Sequence, residues 1–451
     1  MAMRVMTVIG VALWLSFFAR TDTALRAQST QSAGTRNGPT ALVGGTLIDG
    51  VSDRVVRNAV VLIRDGRIER VGTVDDLSVP AGYDTISTEG ATVMPGLWDM
   101  HVHLLYAGHT NLQRWHETYT PRFERDIMPA TARQMLMSGV TSVRDLGAPP
   151  DAVLAVKARI ASGEIEGATI YAAGPQLTHM PPVWARFYRR GVLGPADATA
   201  KAAQLLDQGV DVLKVTDAES MTVEEVKAIA AAAHARGKML AAHGRTDAEI
   251  RIGLDGDVDD FQHIGVAGPE YPADLIARIA TRARSSRPLY WTPTVGLPLN
   301  GQYLAGNPEA LDDPRNYAGL PDVIAQDVRQ AIRNYRPQSP QREIIVRKVK
   351  QLRDAGVQLL LGTDAGLAGN PHAHATWQEM DAWVDVLGMS PMETIQRATS
   401  GAARVLGVAD RVGSIEAGKV ADVIVVNGDP LRHIDVLREP AMVFKGGRRV
   451  K

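Results

Sequence analysis

The sequence predicts an α/β protein built as a (β/α)8 barrel, with a small β-sandwich made from both chain ends. Three observations predict it. Short apolar runs alternate with helix-like segments through the middle of the chain, which argues for parallel strands joined by helical crossovers. Eight such runs can be counted: Met94 to His103, Ser142 to Leu146, Thr169 to Ala173, Val210 to Val215, Met239 to His243, Asp260 to Ile264, Leu289 to Thr294, and Gln358 to Thr363. Both flanks instead carry short β-rich runs broken by turn residues, and neither flank has enough strands to bury a core alone. An open doubly wound sheet is the alternative, but no glycine-rich phosphate fingerprint follows the first strand.

The chain start, Met1-Ala2-Met3-Arg4 followed by an apolar run from Val5 to Ala19, has the layout of a secretory signal. The run is shorter than the ~20 residues a membrane span needs. Residues 1–27 are therefore expected to be a signal peptide, and 28–40 a flexible linker rich in Ser, Thr, Gln and Gly. Export to the periplasm or medium follows, with no stable membrane insertion once the signal is removed.

Residues 41–92 form the N-terminal part of the sandwich, where Asp65-Gly66 between apolar runs signals a hairpin. Residues 93–405 form the barrel and 406–451 return to the sandwich. Thr222 to Arg236 reads as a barrel helix, with Val223, Val226, Ile229 and Ala230 on one face. One connection breaks the rhythm: 296–340 is rich in proline, glycine and asparagine, with a short helix near Asp322 to Arg333. So long a connection in a barrel is a lid or a wall of the substrate pocket.

Composition narrows the function. With 49 basic and 50 acidic residues among 451, the chain has no electrostatic footprint for nucleic acid. Its partner is a small-molecule substrate, and assembly into a homo-oligomer is left open. There is no cysteine, so disulfides and thiolate metal sites are excluded and any metal must sit among nitrogen and oxygen ligands.

Such ligands fall at strand ends. His101 and His103 end the first strand, Lys214 the fourth, His243 the fifth, His263 the sixth, and Asp364 follows the eighth. Alone, Lys214 reads as a surface lysine, His263 as a core histidine and Asp364 as a helix cap. Strand ends of a barrel converge on one face, so together they read as one metal centre. His109, His116, His179, His372 and His374 fall in the connections after strands one, three and eight, on the same face. Trp98, Tyr106, Trp115, Trp184, Phe187 and Tyr188 add aromatic rings to these connections.

The motifs Met94-Pro95-Gly96-Leu97-Trp98-Asp99-Met100-His101-Val102-His103, Leu213-Lys214-Val215, Ala242-His243, Phe261-Gln262-His263 and Leu361-Gly362-Thr363-Asp364-Ala365-Gly366 resemble those of the amidohydrolase superfamily. The resemblance runs from Ala41 onward and is strongest to the branch with imidazolonepropionase-like proteins and Xaa-Pro dipeptidases. It implies two divalent ions, usually zinc. His101, His103 and Asp364 would hold one ion, His243 and His263 the other, and Lys214, carboxylated by CO2, would bridge them. A free ammonium with pKa ~10.4 cannot bind a cation, whereas a carbamate offers two oxygens. Two cations would activate a water and polarise a carbonyl, with Asp364 as the catalytic proton carrier. The expected activity is hydrolysis of an amide-type C–N bond in a dipeptide, N-acyl amino acid or cyclic amide. Ester, lactone or phosphotriester hydrolysis at the same site is the alternative, and a scaffold without catalysis a weaker one. His179, Arg245, Tyr106 and Trp184 are the candidate substrate contacts, although Gly174-Pro175-Gln176 replaces the Gly-Gly-His-like turn of many relatives.

Overall fold

Five strands open the described chain: β1 (Thr40–Ile48), β2 (Val55–Arg64), β3 (Arg67–Thr73), β4 (Asp84–Ser87) and β5 (Ala91–Pro95). This computed structural model describes residues 38–299, 308–333, 335 and 341–451. The expected signal peptide and most of the linker lie outside the described residues, as do 300–307, 334 and 336–340 of the long connection. β2 and β3 form the predicted hairpin, and Asp65 (φ 49°) with Gly66 (φ 77°) supplies the two positive-φ positions that a tight two-residue turn demands.

The barrel strands follow. β6 (Leu97–Val102), β7 (Val140–Asp145) and β8 (Thr169–Ala172) make one parallel run, and the two short strands β9 (Gln176–Thr178) and β10 (Arg189–Gly191) pair with each other and, through β9, with the next strand of the barrel. Then β11 (Val212–Val215), β12 (Met239–His243), β13 (Asp260–Gln262), β14 (Tyr290–Thr292) and β15 (Gln358–Leu359) pair in sequence, all parallel. The ring closes where Met100 N donates to Leu361 O (2.9 Å) and Asp364 N to His101 O (2.7 Å). Between β8 and β11 the link is Asp211 N to Ala172 O (2.7 Å).

β16 (Val423–Asn427), β17 (Met442–Lys445) and β18 (Arg448–Arg449) complete the first sheet. β16 lies antiparallel to β5, from Val423 opposite Pro95 to Asn427 opposite Ala91, so the two chain ends share one curled mixed sheet. Alternation along β2 feeds both faces of that sheet: Val61 and Ile63 pack with Phe444 and Val425, while Val60 and Leu62 pack with Leu77.

One expectation is corrected. The single strand expected from Met94 to His103 is two strands in different sheets, parted at Gly96. A Cβ there would lie 2.2 Å from Thr141 Cγ2, so only glycine lets the chain cross from sandwich to barrel this close to β7. The third barrel strand, expected over Thr169 to Ala173, is β8, and Gly174 at φ 69° separates it from β9.

The helix read over Thr222 to Arg236 spans Val223–His234. Thr222 is its N-cap, in a capping box with Glu225. Helix Asp322–Arg333 buries Ile324, Val328 and Ile332. Its Asp327 accepts from Arg114 Nη1 (2.9 Å) and Tyr119 Oη (3.0 Å), which seats it against the connection after β6. Among the described residues no helix is long and apolar enough to cross a membrane.

Candidate active site

Strand ends deliver polar side chains to the barrel mouth, and the backbone there is held in an unusual shape. Asp217, His263, Thr294 and Asp364 all have positive φ (52°, 73°, 48° and 61°). They follow β11, β13, β14 and β15, so the left-handed positions gather at the mouth. Non-glycine residues pay about 1–2 kcal/mol for that conformation. Here the surrounding ladder over-determines it; Asp364, for example, is pinned by its N–H on His101 O.

The side chains converge as follows. Asp364 Oδ1 lies 3.1 Å from His103 Nε2 and 3.3 Å from His101 Nε2, and its Oδ2 lies 3.9 Å from His263 Nδ1. Yet neither ring nitrogen of His101 nor Asp364 Oδ1 makes an aligned hydrogen bond, although His101 is fully buried. Atoms ligating one ion at about 2.0–2.1 Å sit roughly 3.0–3.4 Å from each other, so the spacing suits a shared cation better than shared protons. The His243 and His263 rings stand 5.0 Å apart, and those of His101 and His263 4.9 Å.

Two groups of candidate ligands therefore lie side by side, His101, His263 and Asp364 in one and Asp217, His243 and Glu249 in the other. That is a setting for two divalent ions. In the second group Asp217 is engaged by Arg189 and Arg245, and Glu249 accepts the N–H groups of Arg245 (2.8 Å) and Thr246 (3.3 Å) that cap its own helix.

Partners behind the histidines fix how they face. His103 Nδ1 lies 3.4 Å from Gly147 O, His243 Nδ1 2.8 Å from Thr216 Oγ1, and His263 Nδ1 2.9 Å from Thr294 Oγ1. Engaging one ring nitrogen orients the ring and frees the other for a ligand role. Burial pulls His101 and His243 well below the ordinary histidine range and His263 down to about 3, so the rings are neutral and able to ligate.

Lys214 is fully buried and its Nζ has no hydrogen-bond partner. Burial holds it well below the usual lysine range, against the pull of Asp364 and Asp260. Beneath it Arg144 pairs with Asp260 (2.5 Å) in the barrel interior, both side chains fully buried.

A cavity of about 920 Å3 opens over the centre, reached by His103, His243, His263 and Asp364. This is near the upper end of ligand pockets, about 300–1,000 Å3. Of the expected substrate contacts, Tyr106 and Arg245 line it, whereas His179 and Trp184 do not. Trp184 instead packs near His116, whose Nε2 lies 2.8 Å from Tyr106 Oη and whose ring stacks on Tyr188. His116 itself sits in a helix, Leu112–Tyr119, where a loop was expected. Tyr188, one of the aromatic rings expected in these connections, lines it too, and sequence reasoning missed Gln176 and Arg189. Their one signal was position, since they follow the third strand on the face where the ligands gather.

A closed parallel barrel whose mouth gathers neutral histidines, an aspartate and an unpartnered lysine defines a metal-dependent hydrolase acting on C–N bonds. The chain belongs to the amidohydrolase family, whose model matches residues 92–281 and 335–450. It is similar to the ochratoxinase of Aspergillus niger, 26% identical over 465 residues that cover 91% of this chain and 86% of the relative. It is also similar to the imidazolonepropionase of Deinococcus radiodurans, 26% identical over 424 residues, 84% of this chain and 88% of the relative. A solved Xaa-Pro dipeptidase with methionine bound in its active site superposes with a TM-score of 0.68 at 26% identity, covering 92% of this chain and all (100%) of that one.

Proposed function

We propose that the protein cleaves an amide of a bulky apolar acyl group, using two zinc ions bridged by a carboxylated Lys214. One observation carries this reading: Lys214 Nζ is buried among neutral histidines and Asp364 with no partner of its own. An unpaired buried amine is costly. Attack of the neutral amine on CO2 with loss of one proton would give a carbamate, an anionic oxygen ligand able to help hold divalent ions. His101, His103 and Asp364 would then hold one ion and His243 and His263 the other. Bound there, the ions lower the pKa of a water and polarise the scissile carbonyl.

The chain's own groups do the rest. Asp364, held rigid at the mouth, accepts the water's proton and returns it to the leaving nitrogen. The pocket wall of Leu112, Ile264, Val266, Val295, Leu297 and Ile345 excludes water and favours an apolar group. The Xaa-Pro dipeptidase relative supports a dipeptide type of substrate over a simple ester.

Metal analysis of the purified protein together with a panel of N-acyl amino acids, dipeptides and lactones tests this. About two zinc per chain and cleavage of amides over lactones is the expected result; one ion per chain, or lactones preferred, would refute it. The basic start and apolar run of the first residues support export, and intact-mass measurement of the recovered protein should find roughly the first 24–28 residues gone.

A further inference from the structure

Arg189 and Arg245 reach the cavity from different connections, after the third strand and after β12, and a single carboxylate holds both. Asp217 Oδ2 accepts from Arg189 Nη1 (2.9 Å) and Oδ1 from Arg245 Nη2 (3.0 Å). Asp217 is itself fixed, since it sits at φ 52° directly after the Lys214 strand. One of its oxygens is within 4.8 Å of a ring nitrogen of His243, so the arginine pair stands next to the centre.

Neither guanidinium is exhausted by this contact. Each has five N–H donors, and the Nε of Arg189 is buried without an acceptor. Arg189 also lies over the Tyr188 ring, 5.6 Å from its centroid. The Arg245 backbone is clamped by its N–H on Glu249 and by Gly265, where a Cβ would fall 1.6 Å from Arg245 O. Two cations against the one carboxylate they share leave a positive corner. The next carboxylate, Glu249, is 3.9 Å from Arg245 Nη2 and takes two backbone N–H groups at its own helix start.

We propose that Arg189 and Arg245 form a carboxylate clamp, and that the substrates are N-acyl amino acids with a free carboxylate at the clamp and a large apolar acyl group on the wall of Ile264, Val266 and Leu297. This rests on the C–N hydrolysis proposed above. The geometry fits because in such a substrate the carboxylate lies one residue from the scissile bond, about 3.3–3.6 Å of chain, and both arginines line the same cavity as His243 and His263, held there by an Asp217 whose oxygen is within 4.8 Å of a His243 ring nitrogen. If the trio were only a brace between loops, it would not read the charge of the ligand.

The test uses the metal-loaded enzyme and the ketomethylene isostere of N-(2-naphthoyl)-phenylalanine, in which CH2 replaces the amide NH so that nothing can be cut. Calorimetry compares the free acid with its primary carboxamide. The acid should bind at least about tenfold tighter, as charge-assisted hydrogen bonds require. Arg245→Met and Arg189→Met should each erase most of that preference while leaving carboxamide binding within about twofold, and Arg245→Lys should restore part of it. Equal binding of acid and carboxamide by the unaltered enzyme, no binding of the acid, or Met variants that weaken both ligands alike would overturn the clamp. Release of naphthoic acid from N-(2-naphthoyl)-L-phenylalanine is read separately. Acid preference without release keeps the clamp and sinks the amide reading, whereas release without acid preference sinks the clamp alone.

Discussion

Asp99 and Thr363 join the first and last barrel strands directly beneath the ligands. Asp99 Oδ2 accepts from Thr363 Oγ1 (2.8 Å) and Thr376 Oγ1 (2.9 Å), and Oδ1 accepts from the N–H groups of His101 and Thr363 (each 3.1 Å). One buried carboxylate thus sets the height of His101 against Asp364. Asp99→Ala leaves three donors unpaired, the Thr363 N–H keeping His101 O (3.2 Å), and should cost at least ~3 kcal/mol, since each buried unsatisfied group costs about 1–3 kcal/mol. Asp99→Asn keeps one oxygen for the backbone pair and offers its NH2 to hydroxyls that can rotate to accept. Its loss should be about 1–2 kcal/mol. Denaturant unfolding and metal content of the two variants check this, and equal losses would show that the carboxylate is not the organiser.

Lys214→Ala removes the bridge and should lose both metal and activity. Short carboxylic acids in solution should then restore part of each, because a carboxylate can occupy the space of the truncated side chain with the same two oxygens. Metal content after dialysis against acetate or propionate is the readout. Full metal in the untreated variant would remove the bridging role.

Glu379 gives the pH dependence. It accepts from Val295 N (3.0 Å), Gly296 N (2.5 Å) and Trp383 Nε1 (2.8 Å), and so ties the helix Ala375–Asp385 to the start of the long connection. Burial pushes its carboxyl up to about 8 despite those three donors. The folded pKa is therefore above the unfolded value. The folded state binds the proton more tightly, and the stability this group contributes is complete below about 4.3 and lost as pH rises toward 8. The slope can reach about 1.4 kcal/mol per pH unit. Glu379→Gln cannot titrate, so the stability difference between unaltered protein and variant should shrink steadily from pH 5 to 8. Parallel profiles would place the proton elsewhere.

Much of this was legible from local chemistry. His101, His103, His243 and His263 fall at the ends of apolar runs, and strand ends in a barrel must meet, so the residues needed no long-range information to be grouped. Helix Asp322–Arg333 was equally plain, because its apolar positions repeat with the helical period. What stayed hidden depends on contacts between distant segments. The break at Gly96 is dictated by Thr141 on a neighbouring strand, and the sequence near Met94 reads as one continuous run. Arg189 and Asp217 are 28 residues apart and join only because the chain turns at Gly174 between β8 and β9. The positive φ of Thr294 has no local signature either, since a β-branched side chain is a poor candidate for it.

Asp364 separates proton transfer from ligation. It follows a buried strand end, and its N–H on His101 O leaves the side chain little freedom. If it serves only as a ligand, Asp364→Asn should lower activity in proportion to lost metal. If it carries the proton, the amide should keep much of the metal through its carbonyl oxygen yet lose most turnover, because an amide cannot accept a proton at neutral pH. General acid–base catalysis contributes roughly 10²–10⁴-fold, so the fall in kcat at saturating metal should be at least ~10²-fold. KM should move little, since the pocket walls that bind the apolar group are untouched. Metal content and steady-state kinetics on the same preparation decide between the two. A variant with full metal and near-normal kcat would remove Asp364 from proton transfer and turn attention to His372, which is buried near the same loop.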